Sequence, residues 1–318
     1  MRAIVTGAAG FIGSNLTDRL LSDGHEVLGI DNFSTGRLDF LAKAIPCPSF
    51  ELSRTDLLDL DSLKKLFVGA DAVFHLAANA DVRFGPEHPG RDLEQNTLCT
   101  WNVLEAMRAC GVKRIAFSST GSVYGEPAVF PTPEDAPFPI QTSLYGASKI
   151  AAESFIAAYC GAFGMRSNIF RFVSILGERY SHGHVFDFYR QLLEHPGHLR
   201  VLGDGMQRKS YLEVRDCVEA IVVAMEKSTA PVEVFNLGTN EYCTVRDSIG
   251  WICKHMGVTP EIEYTGGNRG WIGDSPFIFL DCSRIRALGW EPRYRIEQGV
   301  LNTVAYLERN QALLGARA

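Results

Sequence analysis

At 318 residues, 46% of them hydrophobic and 21% charged, the chain can bury the cores of one large or two ordinary domains. Its net charge of -6 at pH 7 gives no general attraction to nucleic acid or to acidic membrane surfaces, and no apolar run reaches the length of a membrane span. The 8 cysteines are scattered without a Cys-x-x-Cys pair, so reduced cytoplasmic thiols are expected and a metal site is not. The first apolar run, Ala3-Ile4-Val5, is too short for a secretory signal.

In chain order, Ala3 to Val5 is the first predicted strand, and Thr6-Gly7-Ala8-Ala9-Gly10-Phe11-Ile12-Gly13 turns it into a helix predicted over 12–23. Glycines spaced G-x-x-G-x-x-G permit a tight turn, admit a pyrophosphate to the backbone N–H groups and let the helix pack on the sheet. The positive end of the helix favours the same anion. The second strand, Glu26 to Ile30, runs into Asp31, where a carboxylate can accept hydrogen bonds from an adenosine ribose and would repel a 2′-phosphate. NAD is therefore favoured over NADP, with Arg37 the one residue that could meet a phosphate instead. Further strands are predicted at Phe50–Leu52, Ala72–Leu76, Arg114–Phe117 and Ser167–Phe172, with helices near 59–67, 91–110 and 144–163. Asp56, after the third strand, suits an adenine amino group or caps the helix starting near Asp59.

Several of these strands lack a polar face, as expected of a parallel sheet covered on both sides. The predicted class is α/β, a Rossmann-type doubly wound sheet with right-handed crossovers. Beyond Gly177 the rhythm breaks: Gly, His and Pro crowd 177–205, and a second loop-like stretch runs from Thr265 to Gly270. Between them Tyr211–Val214, a helix over about 215–227 and Val234–Leu237 return to the first pattern. This predicts an NAD-binding domain over 1–176 with returning segments near 211–240, and a smaller interleaved substrate domain from 177–210 and 241–318. His182 and His184 alternate on a loop without nearby carboxylates or cysteines, which suits a substrate pocket or packing better than a metal.

Tyr145-Gly146-Ala147-Ser148-Lys149 places a phenol and an ammonium four residues apart, on one face of a predicted helix. A free tyrosine titrates near ~10, and a fixed positive charge nearby favours its phenolate. The pair can serve as a proton-transfer device.

Thr6 to Gly13, Asp31-Asn32, His75-Leu76-Ala77-Ala78, Ser118 to Gly125, Tyr145 to Lys149 and Gly203 to Tyr211 together resemble the extended short-chain dehydrogenase/reductase family, in its nucleotide-sugar epimerase and dehydratase branch. The resemblance runs in order along nearly the whole chain. It implies that Tyr145 is the general base, that Lys149 binds the nicotinamide ribose and lowers the Tyr145 pKa, and that Thr120, where the family often has Ser, completes the site. It implies an NAD site made by Gly7, Gly10, Phe11, Ile12, Gly13, Asp31, Asn32, Ser34, Thr35, Gly36, Asp56, Leu57, Leu76, Ala77, Ala78, Asn96, Ser118 and Phe172, together with Tyr145 and Lys149. For the substrate it implies Arg83, Thr120, Ser174, Arg208, Arg269 and Asp274. Arg208 resembles the arginine that clamps the diphosphate, a surface ion pair being its other explanation. Asp274 keeps its place in the family's Arg-x-Gly-Asp pattern, while Trp271 replaces the arginine and Arg269 lies two residues earlier. Ser174 stands where the family often has Asn, and Ala80 where the best-known bacterial 4-epimerases carry Lys.

Dehydratases of the family carry Thr-Asp-Glu where this chain has Thr120-Gly121-Ser122, and the decarboxylating relatives place a Glu before Val-Tyr-Gly. The missing acids favour a nucleotide-sugar 4-epimerase resembling UDP-glucose (UDP-galactose) 4-epimerase, acting through a transient 4-keto sugar on tightly bound NAD. A dehydratase, a reductase or a catalytically silent NAD-binding sensor are the alternatives. The implied partners are a UDP-sugar and, because the helices near 91–110 and 144–163 pair across a dimer axis in the family, a second copy of the chain. Trp101, Val103, Leu104, Met107, Ile150, Phe155 and Ile156 fit either that interface or packing on the sheet.

Overall fold

The computed structural model describes residues 1–79, 87–138, 140–141, 143–267 and 277–316. Its elements in chain order are β1 (Arg2–Thr6), α1 (Phe11–Ser22), β2 (Glu26–Asp31), β3 (Phe50–Arg54), α2 (Leu60–Leu66), β4 (Ala72–His75), α3 (Pro89–Asp92), a π-helical turn (Leu93–Leu98), α4 (Cys99–Cys110), β5 (Arg114–Thr120), α5 (Leu144–Phe163) and β6 (Arg166–Phe172). There follow β7 (Ser174–Leu176), α6 (His184–Glu194), β8 (His198–Val201), β9 (Arg208–Lys209), β10 (Tyr211–Glu213), α7 (Val214–Lys227), β11 (Val232–Leu237), β12 (Cys243–Thr244), α8 (Val245–Met256), β13 (Glu261–Tyr264), β14 (Phe277–Ile278), α9 (Ser283–Ala287) and α10 (Ile296–Arg309).

Seven strands form one parallel sheet in the order β11-β6-β5-β4-β1-β2-β3. The period of two along β1 sends Ala3 and Val5 into a core shared with Leu16, Leu20 and Phe74, and Ile4 into the opposite one with Leu28, Val73, Val103, Met107 and Ile156. Helices on both faces complete the predicted doubly wound architecture. Strand order reverses between β1 and β4, opening a crevice at the carboxyl ends of the strands. A third core gathers Val185, Phe186, Tyr189 and Leu192 of α6 with Ile249 and Ile252 of α8 and Val300, Val304 and Leu307 of α10.

Two local features position the site. The regular helix expected over 91–110 is instead three pieces, α3, the π-helical turn and α4. The i→i+5 bonding of that turn re-aims its side chains, so Asn96 and Thr97 meet Ser148 of α5. Ser143 caps α5 by accepting from Gly146 N–H at 3.0 Å, and this fixes Tyr145 in the first turn with Lys149 one turn later. A Cβ on Gly146 would lie 2.5 Å from Oε1 of Gln141 and 3.1 Å from the Ser122 carbonyl, so only glycine lets the 121–124 turn pack against this helix start.

Candidate active site

The crevice between β1 and β4 is lined by Gly7, Gly10, Asp31, Asn32, Ser34, Thr35, Gly36, Leu57, Leu76, Ala77 and Ala78, all expected there, and also by Ile30, Thr55 and Gln95. Thr55 sits beside the expected Asp56, and Gln95 is presented by the π-helical turn, which apolar periodicity cannot foresee.

The glycine turn leaves no room for side chains. Gly7 has φ +70°, and a Cβ there would lie 2.8 Å from the Ala77 backbone; a Cβ on Gly13 would lie 2.0 Å from the Gly7 carbonyl oxygen. Asp31 braces the turn: Oδ2 accepts from Ala9 N–H at 2.9 Å and Oδ1 from Phe33 N–H at 2.8 Å. Burial raises its pKa, against those two backbone donors. Each oxygen keeps a second lone pair for a ribose hydroxyl. Arg37 pairs with Asp39 at 3.2 Å, on its own side of the loop. This bare backbone cradle at a helix start, with a carboxylate at the end of β2, fits a dinucleotide without a 2′-phosphate.

Other expected cofactor residues lie around the crevice rather than on its surface. Phe11 and Ile12 pack against the sheet core, Phe11 also against the Tyr180 ring at 5.6 Å. Asp56 accepts from Asn32 Nδ2 at 3.0 Å and from Leu58 N–H at 2.9 Å, while Asp59 caps α2. The capping explanation of Asp56 is thereby removed. Phe172 ends β6 opposite Thr120 in the ladder.

Tyr145, Lys149 and Thr120 converge at the carboxyl end of β5. Lys149 is buried; its Nζ donates to the Ser118 carbonyl at 2.8 Å and lies 4.7 Å from the Phe117 ring centroid and 6.0 Å from that of Tyr145. Burial pulls its pKa down to about 7, against the nearby charges of Glu153 and Asp92. Burial pushes Tyr145 up to about 12; a hydrogen bond with the Thr120 hydroxyl lowers it and the Asp92 charge adds to the rise. The expected lowering of the Tyr145 pKa by Lys149 is therefore not realised by the protein alone.

A directional hydrogen-bond chain underlies this site. Thr100 donates to the Asn96 carbonyl at 2.6 Å and so accepts from Nε2–H of His75 at 3.0 Å, leaving Nδ1 to accept from Thr6 Oγ1 at 2.7 Å. Burial, and secondarily the Lys149 charge, hold His75 near about 3, so it is neutral. Asn96 also donates to Ser148 Oγ at 2.9 Å, and Ser118 Oγ donates to the His75 carbonyl at 3.2 Å. Besides Ile30, Thr55 and Gln95 of the crevice, His75, Ser148 and Asp92 are site residues that motif reading did not assign.

Of the substrate residues, Arg83, Arg269 and Asp274, like Ala80 and Trp271, lie outside the described residues. Ser174 is exposed at the start of β7. Arg208 is exposed on β9, with its guanidinium 4.0 Å from the Phe277 ring centroid and 5.6 Å from that of Tyr242. His184 is a packing residue, bonded to Ser248 Oγ at 2.9 Å and stacked on Tyr211, and His182 stacks on Tyr180. Among the described residues no cluster of His, Cys, Asp or Glu could hold a metal, and no helix is long and apolar enough to cross a membrane.

The model of the NAD dependent epimerase/dehydratase family matches residues 3–238. The chain belongs to that family. It is 34% identical to a UDP-glucose 4-epimerase of Mycolicibacterium smegmatis, over 98% of this chain and 100% of that one. Among solved structures, a UDP-galactose 4-epimerase superposes with a TM-score of 0.87 at 37% identity, covering 98% of this chain and 99% of that one. A UDP-glucuronic acid 4-epimerase from Bacillus cereus, in complex with UDP-glucuronic acid and NAD, gives 0.90 at 29% identity, with 98% and 100% covered. NAD is the cofactor, in agreement with the cradle and Asp31.

Within this epimerase/dehydratase chain, the packing around Gly121 bears on the reaction. A Cβ there would lie 3.1 Å from the Phe172 carbonyl and 3.2 Å from Cγ2 of Ile278, and the next residue is Ser122, whose Oγ accepts from Thr120 Oγ1 at 3.2 Å. The positions where an eliminating enzyme would place its acids hold a crowded glycine and a small hydroxyl.

Proposed function

We propose that the protein is an NAD-dependent nucleotide-sugar 4-epimerase acting on a UDP-sugar of the glucose/galactose type, including N-acetyl or uronic acid forms. The observation that carries this reading is the convergence of Tyr145, Thr120 and Lys149 beside the crevice, with glycine and serine in place of carboxylates at 121 and 122.

Tyr145 takes the proton of the sugar 4-hydroxyl as the carbon is oxidised and returns it when the carbon is reduced on its other face. NAD bound in the crevice supplies the hydride acceptor and donor. Thr120 shares the proton through its hydroxyl, and Lys149, tied to the Ser118 carbonyl, orients the nicotinamide ribose. The glycine turn holds the pyrophosphate, and Asp31 the adenosine ribose. Arg208, its guanidinium near the rings of Phe277 and Tyr242, binds the substrate diphosphate, with Arg83, Arg269, Asp274 and Ser174 completing the substrate side. Residues 1–176 with segments near 211–240 form the cofactor half, and 177–210 with 241–318 the substrate half. A second copy docks through α4 and α5, where Trp101 and Phe155 are exposed.

The test is incubation of the NAD-loaded protein with UDP-glucose, UDP-galactose and their N-acetyl and uronic acid forms, followed by separation of the products. Interconversion at C4 without consumption of NAD is expected. A 4-keto-6-deoxy product, or steady oxidation of NADPH, would replace this reading with a dehydratase or a reductase. Tight NAD binding without turnover of any sugar would favour a sensor.

A further inference from the structure

Asp92 ends α3 and has no part in the mechanism above. The residue is 1% exposed. Oδ1 accepts from Asn79 Nδ2 at 2.9 Å and from Asn96 Nδ2 at 3.4 Å, while the buried Oδ2 has no hydrogen-bond partner among the described residues. A buried carboxylate oxygen without a donor is costly, and a native fold that keeps one needs a reason for it. The reason lies along the same bonds. Asn96 also donates to Ser148 Oγ, whose hydroxyl donates to the Tyr145 carbonyl at 2.8 Å. The π-helical turn thus ties Asp92 to the first turn of α5, the turn that carries the phenol.

We propose that Asp92 is a positioning residue for proton transfer at Tyr145, a buried carboxylate shared by Tyr145 and Lys149 that sets the pH range over which the pair works. The proposal rests on the reading of Tyr145 as the proton acceptor. Other charged groups near the pair are accounted for. Glu153, on α5, is held by Arg171 of β6 at 2.7 Å and by the Ser119 hydroxyl. Tyr124 of the 121–124 turn is bound to Arg171 and Asn236, His75 of β4 is neutral, and Glu105 of α4 pairs with Arg108 and Tyr159 away from the site. Arg91 and Glu94, Asp92's neighbours in sequence, are exposed. Asp92 is the carboxylate whose charge acts on both members of the pair, opposing ionisation of Tyr145 and supporting that of Lys149.

The signature follows from the sign of that charge. Removing it makes both the phenol and the ammonium lose their protons more readily, so both limbs of the pH–rate profile move to lower pH together, by about one pH unit. Loss of fold or loosened packing lowers the rate without moving either limb. Asp92→Asn keeps size and most hydrogen bonds; Asp92→Ser, which also removes the charge, carries the same test if the first variant is insoluble, and Asp92→Glu should leave the limbs in place. The ionisation of Tyr145 is also read by the ultraviolet difference spectrum of tyrosinate in the NAD-loaded protein, with Tyr145→Phe as the blank. Absence of turnover would sink the functional reading but leave this titration intact. A titration of Tyr145 that is the same in wild type and Asp92→Asn overturns the proposal.

Discussion

Lys149 donates to the Ser118 carbonyl at 2.8 Å and so locks helix α5 to the strand that ends at Thr120, two residues on. This bond places the ammonium, the phenol and the Thr120 hydroxyl in one fixed group. If Tyr145 exchanges the substrate proton, Tyr145→Phe should lower turnover by roughly 10²–10⁴-fold with NAD retention and melting temperature unchanged. Thr120→Ser should keep most activity and Thr120→Val should lose much of it. Full activity in Tyr145→Phe would rule out this assignment.

The same lysine weakens the fold it serves. With a pKa near 7 in the folded state against 10.5 when free, Lys149 binds fewer protons folded than unfolded between these values. Stability contributed by this group therefore rises with pH across that window, and the cost of its buried charge is fully present below about 7. Lys149→Met should raise the melting temperature at pH 6 by roughly 5 °C while abolishing turnover, and the gain should shrink toward pH 10. Calorimetry of the two proteins across pH decides this, and a variant that melts lower at pH 6 would contradict it.

The strands, the glycine turn and the Tyr145–Lys149 spacing were legible because each is a local pattern: apolar runs, positions a Cβ cannot occupy, and residues one helical turn apart. Asp92 was not legible, since the irregular turn over Leu93–Leu98 that brings Asn96 to Ser148 has no signature in a 3.6-residue period. Nor was the high pKa of Tyr145, which depends on how much protein surrounds the phenol rather than on which cation lies four residues away. The apolar positions of α4 and α5 were ambiguous for the same reason. Val103, Leu104, Met107 and Ile156 are buried under the sheet, Ile150 is half-buried, and Trp101 and Phe155 face outward.

His75 offers a test in acid. Its folded pKa near 3 lies below the usual 6.5, so the unfolded chain takes up a proton that the folded one refuses. Stability should fall as the pH drops from 6.5 toward 3. His75→Leu leaves the hydroxyls of Thr6 and Thr100 without their imidazole partner, which should cost about 2 kcal/mol at neutral pH. The variant should nevertheless show a shallower decline in acid, because its share of proton uptake is gone. Urea titrations at pH 7 and pH 4.5 measure both effects; an equal loss at the two pH values would mean that His75 does not titrate between the folded and unfolded states.

Leu98 at the end of the π-helical turn, Trp101 on α4, and Phe155 and Phe163 on α5 are 42%, 38%, 43% and 41% exposed. The two helices already touch, with Tyr159 donating to Glu105 at 2.6 Å. Large apolar side chains on adjoining helices are costly to leave in water, each gaining about 1.5–3 kcal/mol on full burial. The proposed second copy, applied to the same surface, would bury them in a self-complementary pair. Sedimentation should give twice the chain mass at micromolar concentration, and the double variant Trp101→Glu, Phe155→Glu should sediment as a monomer that still binds NAD, since neither residue lines the crevice. A wild-type protein that sediments as a monomer at that concentration would exclude this interface.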